Sequence, residues 1–281
     1  MKPPPFDYLR AESIDQAIDL LADHGEDGKV VAGGQSLIPL LNLRLARPSV
    51  LIDVNDLTSL ASFAVTDEAL ITGGLLRHRS LCENPAIAAA NPLVSAAAKF
   101  IGHAAIRQRG TLGGSIAHAD PSAELPMVAV ACGATVLVES STGEREIGAE
   151  DFFLGPFTTD LQPEELVLGV RWPVFATADR WGYSQVAERS GDFAEAAAAV
   201  TMLKGVTRVV VSGVPGSPLR LRAVEEWLRG TGDEPGAVRE VARQALLDVL
   251  GDGPEEQHVR CMVEEMVVRA VAQALRDRRA A

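Results

Sequence analysis

Two short glycine pairs are the residues of this chain whose type and spacing best suit ligand chemistry. Gly33-Gly34 precedes Gln35-Ser36, and Gly113-Gly114 precedes Ser115. Adjacent glycines let a backbone approach a ligand closely and adopt positive φ, and their successive N–H groups can point at one anion, such as a diphosphate. Because the pairs lie about 80 residues apart, we predict that the first glycine loop (residues 32–36) and the second glycine loop (residues 110–115) hold one long ligand from two sides.

The second glycine loop has charged neighbours that a plain turn does not need. Arg107 and Arg109 precede the glycines, and Asp120 and Glu124 follow them. Arginines beside a phosphate can aid its binding, and carboxylates just beyond it suit ribose or ribityl hydroxyls. Either arginine can instead be a structural strut, with Arg107 paired to a carboxylate. The first glycine loop matches neither the Walker A nor the GxGxxG pattern, so a plain tight turn also remains open for it.

Histidine and cysteine give little sign of a metal or a nucleophile. His103 and His118 lie near the second glycine loop without a partner at metal-ligand spacing. Cys82, Cys132 and Cys261 are scattered and form no CxxC pair. We therefore predict that the chain holds no cysteine-ligated iron–sulfur cluster, no zinc site and no catalytic side chain.

Composition narrows the classes of partner. The net charge of −12 argues against nucleic acid as the main partner, and it disfavours an anionic membrane surface. The longest apolar run, residues 196–203, is far shorter than the roughly 20 residues that a membrane span needs. The N-terminus shows no secretory signal, and the free cysteines fit a reducing compartment. We expect a cytoplasmic protein without a transmembrane segment.

Hydrophobic periodicity predicts the elements that position the glycine loops. A first helix over 13–24 is capped by Ser13, and a strand–loop–helix–strand order around the first glycine loop predicts a small α/β unit with parallel pairing. Strands are predicted over 29–32, 50–54, 69–72, 135–139, 165–172, 196–202 and 207–212, with a hairpin turn at 140–145. Further helices are predicted directly after the first glycine loop and over 86–100, 221–229, 236–250 and 255–278.

Three segments give the chain a resemblance to a known family. They are residues 32–39 with Arg44, Leu45, Pro48 and 51–53; residues 106–115 with 119–121; and residues 190–194. In order and spacing they resemble the FAD-binding medium subunits of the molybdenum hydroxylases, which include the flavoprotein subunit of aerobic carbon monoxide dehydrogenase and the flavin domain of xanthine dehydrogenase. The resemblance covers essentially all 281 residues.

The resemblance implies an α+β fold. A two-part FAD-binding domain of the vanillyl-alcohol oxidase type would be followed by a C-terminal domain with an antiparallel sheet and a helix bundle. The implied parts are an N-terminal α/β FAD-binding subdomain over 1–57, a second FAD-binding subdomain over 58–175 and the C-terminal domain over 176–281.

The resemblance also implies which residues hold FAD. Backbone N–H groups of both glycine loops would bind its diphosphate, at Ala32, Gly33, Gly34, Gln35, Ser36, Thr111, Gly113, Gly114 and Ser115. Asp120 and Glu124 match positions that hydrogen-bond the sugar and ribityl parts. Tyr183 and Gln185 match positions near the isoalloxazine ring. The positions that pack around the cofactor are matched by Val30, Val31, Leu37, Ile101, Ala117 and Val167.

Three positions depart from the family pattern. Many relatives carry Lys where this chain has Gln185, a basic residue where it has Glu188, and Gln where it has Ala105. A cation near the flavin ring would stabilise reduced, anionic flavin. Its absence should therefore lower the flavin potential, if no other cation takes its place.

The function implied is that of an FAD-carrying subunit. Substrate would be hydroxylated at a molybdenum–pterin centre on a large partner subunit, and electrons would pass through [2Fe-2S] clusters on a small partner subunit to FAD and on to an external acceptor, in a dimer of heterotrimers. Two alternatives remain: a free-standing flavin oxidase or reductase of the same fold, and a scaffold that has lost flavin. The substrate would be chosen on another subunit.

Overall fold

The computed structural model describes residues 2–216, 218–230 and 237–276. Its strands are β1 (Asp7–Arg10), β2 (Gly28–Val31), β3 (Val50–Asp53), β4 (Phe63–Val65), β5 (Ala69–Gly73), β6 (Thr135–Ser140), β7 (Gly143–Gly148), β8 (Phe153–Gly155), β9 (Thr158–Thr159), β10 (Leu166–Pro173), β11 (Arg180–Val186), β12 (Ala196–Leu203), β13 (Val206–Ser212) and β14 (Leu219–Arg220). Its α-helices are α1 (Ile14–His24), α2 (Leu37–Leu43), α3 (His78–Glu83), α4 (Pro85–Ala90), α5 (Pro92–Ala98), α6 (Ala104–Arg109), α7 (Leu112–His118), α8 (Glu124–Cys132), α9 (Ala149–Phe152), α10 (Arg222–Gly230), α11 (Val238–Leu250) and α12 (Pro254–Arg276).

A three-stranded parallel sheet of order β1-β3-β2 carries the first glycine loop. Ser13 caps α1 by accepting the N–H of Gln16 at 3.1 Å, and the buried side of the helix covers the sheet. The predicted helix, strands and parallel pairing are confirmed. Strand β1 was not predicted, because its four residues lie mostly exposed and lack apolar alternation.

A five-stranded antiparallel sheet of order β4-β5-β10-β6-β7 forms the middle of the molecule. Helices α3 to α8 supply most of the core packed against it, and α8 is buried at every position. The continuous helix predicted over 86–100 is wrong, because Asn91 and Pro92 divide it into α4 and α5. Asn91 ends α4 and caps α5 by accepting the N–H of Val94 at 3.1 Å, and the ring of Pro92 suits the first position of a helix.

A four-stranded antiparallel sheet of order β11-β12-β13-β14 follows; α10 and α12 pack on it, and α11 packs against those two helices. Gly182 on β11 lets α12 approach closely, because a Cβ there would overlap the carbonyl oxygen of Ala270. The predicted helices over 236–250 and 255–278 correspond to α11 and α12; residues 236, 277 and 278 lie outside the described ranges. Strand β11, which carries Tyr183 and Gln185, was not predicted.

The expected α+β class is confirmed, with parallel and antiparallel sheets in the first part of the chain and an antiparallel sheet with helices in the last. The boundaries near residues 57 and 175 stay predictions. No helix among the described residues is both long enough and apolar enough to cross a membrane.

Candidate functional site

The first glycine loop presents a row of free backbone donors between β2 and α2. Within the described ranges, the N–H groups of five successive residues, from Gly33 to Leu37, have no protein acceptor. Gly34 adopts a φ of 70°, which favours glycine. The side-chain amide of Gln35 donates from Nε2 to the carbonyl oxygen of Gly33 at 3.1 Å and stabilises the turn. Successive free N–H groups of this kind form a concavity that suits an anion.

The second glycine loop is built differently. The N–H groups of Leu112 and Gly113 donate to the carbonyl oxygens of Leu76 at 2.9 Å and Gly74 at 2.8 Å. Thr111 caps α7, because its hydroxyl accepts the N–H of Gly114 at 3.2 Å and its carbonyl accepts the N–H of Ser115 at 3.1 Å.

The expected use of these amides for a diphosphate stays a prediction. From residue 112 to residue 115 they already have protein acceptors, because this loop joins a neighbouring strand-like segment by an antiparallel bridge between Arg77 and Thr111. What the loop retains for a ligand is the hydroxyls of Thr111 and Ser115 and the N–H of Thr111, which has no acceptor in the described part of the chain.

The structure brings the two glycine loops into contact. A Cβ on Gly33 would overlap the backbone carbonyl of Arg109, which precedes the second loop. A Cβ on Gly113 would lie 2.8 Å from the carbonyl oxygen of Gly74, closer than packed carbon and oxygen atoms sit. Glycine is thus required at both positions by the packing of one segment on another, and the two loops share one site.

Two side chains that the sequence analysis missed tie the loops together. Asn55 donates from Nδ2 to the carbonyl oxygen of Ala32 at 2.8 Å. Arg77 donates from Nη2 to Oδ1 of Asn55 at 3.0 Å and from Nη1 to the carbonyl oxygen of Arg109 at 2.7 Å. No spacing rule marks this pair, because the four segments around residues 32, 55, 77 and 109 meet only in the folded chain.

The arginines predicted near the second glycine loop have separate roles. Arg107 donates from Nη1 to the carbonyl oxygens of Ile101 at 2.9 Å and Gly102 at 2.6 Å, so it is a strut held by carbonyl groups and not by the carboxylate considered as its partner. Arg109 is exposed, and its backbone carbonyl is the part that touches the first glycine loop.

A buried polar cluster, the Glu124 cluster, joins α8 to β11 through Glu124, Gln185 and Tyr183. The hydroxyl of Tyr183 donates to Oε1 of Gln185, and Gln185 lies beside Glu124. Burial raises the pKa of Glu124 from its usual 4.5 to about 7, against the opposing effect of hydrogen bonds from its own backbone and from Gln185. Burial and the neighbouring charge of Glu124 raise the pKa of Tyr183 as well. The ring of Phe100 lies 5.4 Å from that of Tyr183, centroid to centroid.

The remaining polar candidates are spread around the second glycine loop. Asp120 is half-buried and accepts the N–H of Ser122 at 2.9 Å. Burial lowers the pKa of His118, whose ring lies 5.2 Å from that of Phe157. His103 lies against Gly191. In the described part of the chain, no group of three or more His, Cys, Asp or Glu side chains is arranged to hold a metal.

The apolar candidates fall in different parts of the core, and the structure does not gather all of them at one place. Val30 packs with the cluster under α1, and Val31 and Leu37 pack in a small cluster with Leu41 and Leu51. The central cluster contains Val167 and is joined by Ile101 and Ala117.

Comparison with known proteins gives the family. Residues 4–175 match the family described as the FAD binding domain in molybdopterin dehydrogenase. The caffeine dehydrogenase subunit beta of Pseudomonas sp. (strain CBB1) is 36% identical over 98% of this chain and 96% of its own length. The carbon monoxide dehydrogenase medium chain of Hydrogenophaga pseudoflava is 34% identical over 96% of this chain and 97% of its own length.

A solved structure shows the same fold. It is that of carbon monoxide dehydrogenase from Hydrogenophaga pseudoflava lacking the Mo-pyranopterin moiety of the molybdenum cofactor, with a TM-score of 0.92, 32% identity and 99% of each chain covered. Fold and site thus define a flavoprotein component of an oxidoreductase. The chain belongs to the FAD-binding medium subunits of the molybdenum hydroxylases, related to the medium chain of carbon monoxide dehydrogenase.

The glycine loops fit the diphosphate of FAD. Five free N–H groups, from Gly33 to Leu37, can satisfy phosphate oxygens. The Thr111 and Ser115 hydroxyls can add donors from the second loop.

Proposed function

We propose that this chain carries FAD between the [2Fe-2S] clusters of a small partner subunit and an external electron acceptor. A large molybdenum–pterin subunit would oxidise the substrate, and the complex would be a dimer of heterotrimers in the cytoplasm. The proposal rests most directly on the row of free N–H groups from Gly33 to Leu37, held against the second glycine loop. Relatives named as subunits or medium chains of dehydrogenases, similar over nearly their whole length, support the same role.

The chain's own residues would bind and orient the cofactor. The FAD, when bound, supplies the redox chemistry, accepting electrons from one side and passing them to the other. We propose that the diphosphate contacts the N–H groups of residues 33–37 with the hydroxyls of Thr111 and Ser115. Asp120 is proposed to hydrogen-bond the sugar and ribityl hydroxyls together with Glu124.

The Glu124 cluster is proposed to lie beside the flavin ring. It holds a tyrosine hydroxyl, an amide and a carboxyl group, so it offers the ring hydrogen bonds without a permanent cation at position 185. Six apolar residues are proposed to pack around the cofactor: Val30, Val31, Leu37, Ile101, Ala117 and Val167.

An assay of bound flavin and of its reduction distinguishes this function from its alternatives. The full chain, expressed alone and with its two proposed partners, is assayed for bound flavin and for reduction of that flavin by the partners' substrate. We expect flavin in both preparations and substrate-dependent reduction only in the complex. Turnover of a simple electron donor by the chain alone would indicate a free-standing oxidase or reductase. A complex that assembles and works without flavin in this chain would indicate a scaffold.

A further inference from the structure

Arg77 occupies an unusual position between the two glycine loops. Its guanidinium spans from Asn55, which holds the Ala32 carbonyl of the first loop, to the Arg109 carbonyl beside the second. That Arg109 carbonyl is also the group against which Gly33 packs. One side chain therefore fixes the place where the loops touch.

The charge of Arg77 is poorly balanced by the protein. The side chain is half-buried, and Arg109 adds a second positive charge nearby; loss of solvation and this repulsion lower the pKa of Arg77, and only Asp53 acts against them. Asp53 itself binds Tyr8 and Asn55 and makes no ion pair with Arg77 among the described residues. A neighbouring arginine, Arg79 in the first turn of α3, is exposed and paired with Glu83 at 2.7 Å.

We propose that Arg77, held by Asn55, is the positioning residue that sets the spacing of the two glycine loops and the cation that balances the FAD diphosphate between them. A guanidinium can donate to two carbonyl or amide acceptors in one plane while keeping its charge, which an ammonium cannot do in the same geometry. An anion at the loops would supply the balance that the protein lacks. The inference rests on the proposed place of the diphosphate at the first glycine loop.

The test compares FAD dissociation constants of full-chain variants over a range of salt concentrations. Arg77→Gln removes the charge and the two-nitrogen guanidinium donor. We expect at least a tenfold weaker affinity for FAD, with a flatter salt dependence. Arg77→Lys keeps the charge, so it should weaken binding while preserving the salt dependence. Asn55→Ala releases Ala32 but leaves the charge, and should likewise weaken binding without flattening the salt dependence.

Controls separate this role from a general loss of stability. Arg79→Gln removes an exposed arginine two residues further along the chain and should leave FAD affinity and its salt dependence within twofold of the parent. Thermal unfolding of the flavin-free chains tests the fold of each variant. If Arg77→Gln fails to fold, the comparison of Arg77→Lys with Asn55→Ala decides, and a salt dependence flattened in Arg77→Lys would overturn the charge assignment.

One reference variant tests the premise. Gly33→Val should abolish FAD binding if the diphosphate lies at the first glycine loop. Undiminished binding by Gly33→Val would overturn the proposed place of the diphosphate. Lost binding in Gly33→Val together with unchanged affinity and salt dependence in Arg77→Gln would overturn the inference on Arg77 alone.

Discussion

Replacing Glu124 by Gln should change how the stability of the flavin-free chain depends on pH. The side chain is 5% exposed, and burial raises its pKa from the usual 4.5 to about 7. The folded protein therefore holds this proton more tightly than the unfolded chain does. The contribution of the protonated carboxyl is fully present below pH 4.5 and is lost as pH rises through 7.

The size of the effect follows from the pKa difference. One pKa unit corresponds to about 1.4 kcal/mol, so a rise from 4.5 to about 7 corresponds to a loss of about 3 kcal/mol in the free energy of unfolding. Gln is neutral at every pH and can keep a hydrogen bond to Gln185. The free energy of unfolding of Glu124→Gln, relative to the parent, should therefore increase by about 3 kcal/mol between pH 4.5 and pH 8.

Urea unfolding followed by tryptophan fluorescence at several pH values measures this difference. Glu164→Gln, which removes an exposed carboxylate from a turn, is the matched control. Parallel pH profiles for the parent and Glu124→Gln would refute the reasoning, because they would mean that Glu124 titrates alike in the folded and unfolded chains.

Three further outcomes are expected. Gln185→Lys should raise the flavin potential in spectroelectrochemical titration, and by more in a Glu124→Gln background, because Glu124 would otherwise pair with the new ammonium; no shift, or a fall, would contradict this. Gly114→Val places a Cβ 2.8 Å from the hydroxyl of Thr111, so flavin absorbance per chain should drop, and full FAD occupancy would show that the second glycine loop is misplaced. Trp172→Phe removes the hydrogen bond from Nε1 to Thr72 at 2.8 Å and leaves a void, so the free energy of unfolding in urea should fall by about 1–3 kcal/mol; an unchanged midpoint would argue against that contact.

Local sequence patterns were sufficient to predict most of the fold around the first glycine loop. The apolar spacing of α1, the cap at Ser13 and the buried strand at residues 50–53 are short-range signals, and each predicted its element. The break at Asn91 was also a local signal, but the alanine-rich composition on both sides favoured one helix. Strand β11 is different, because its conformation depends on pairing with β12, about 15 residues along the chain.

The site was predictable only where chemistry and spacing coincide. The glycines could be found because few residues tolerate close backbone approach. The Asn55 and Arg77 bonds could not, because they join residues 32, 55, 77 and 109, which only the folded chain brings together. The same holds for the second glycine loop, where the amides of residues 112 and 113 donate to the distant carbonyl oxygens of Leu76 and Gly74.

The contact between Gly33 and the Arg109 carbonyl has a consequence for how the protein retains flavin during storage or heating. One wall of the site belongs to the parallel sheet and the other to the helices above the central sheet. Flavin retention therefore depends on the contact between these two parts. Flavin binding stabilises only the state in which the two glycine loops are in contact. Separation of the loops requires less free energy than global unfolding. Release of flavin from the protein during storage or heating should therefore precede loss of helical signal, and would report that this contact has opened in a chain that is otherwise still folded.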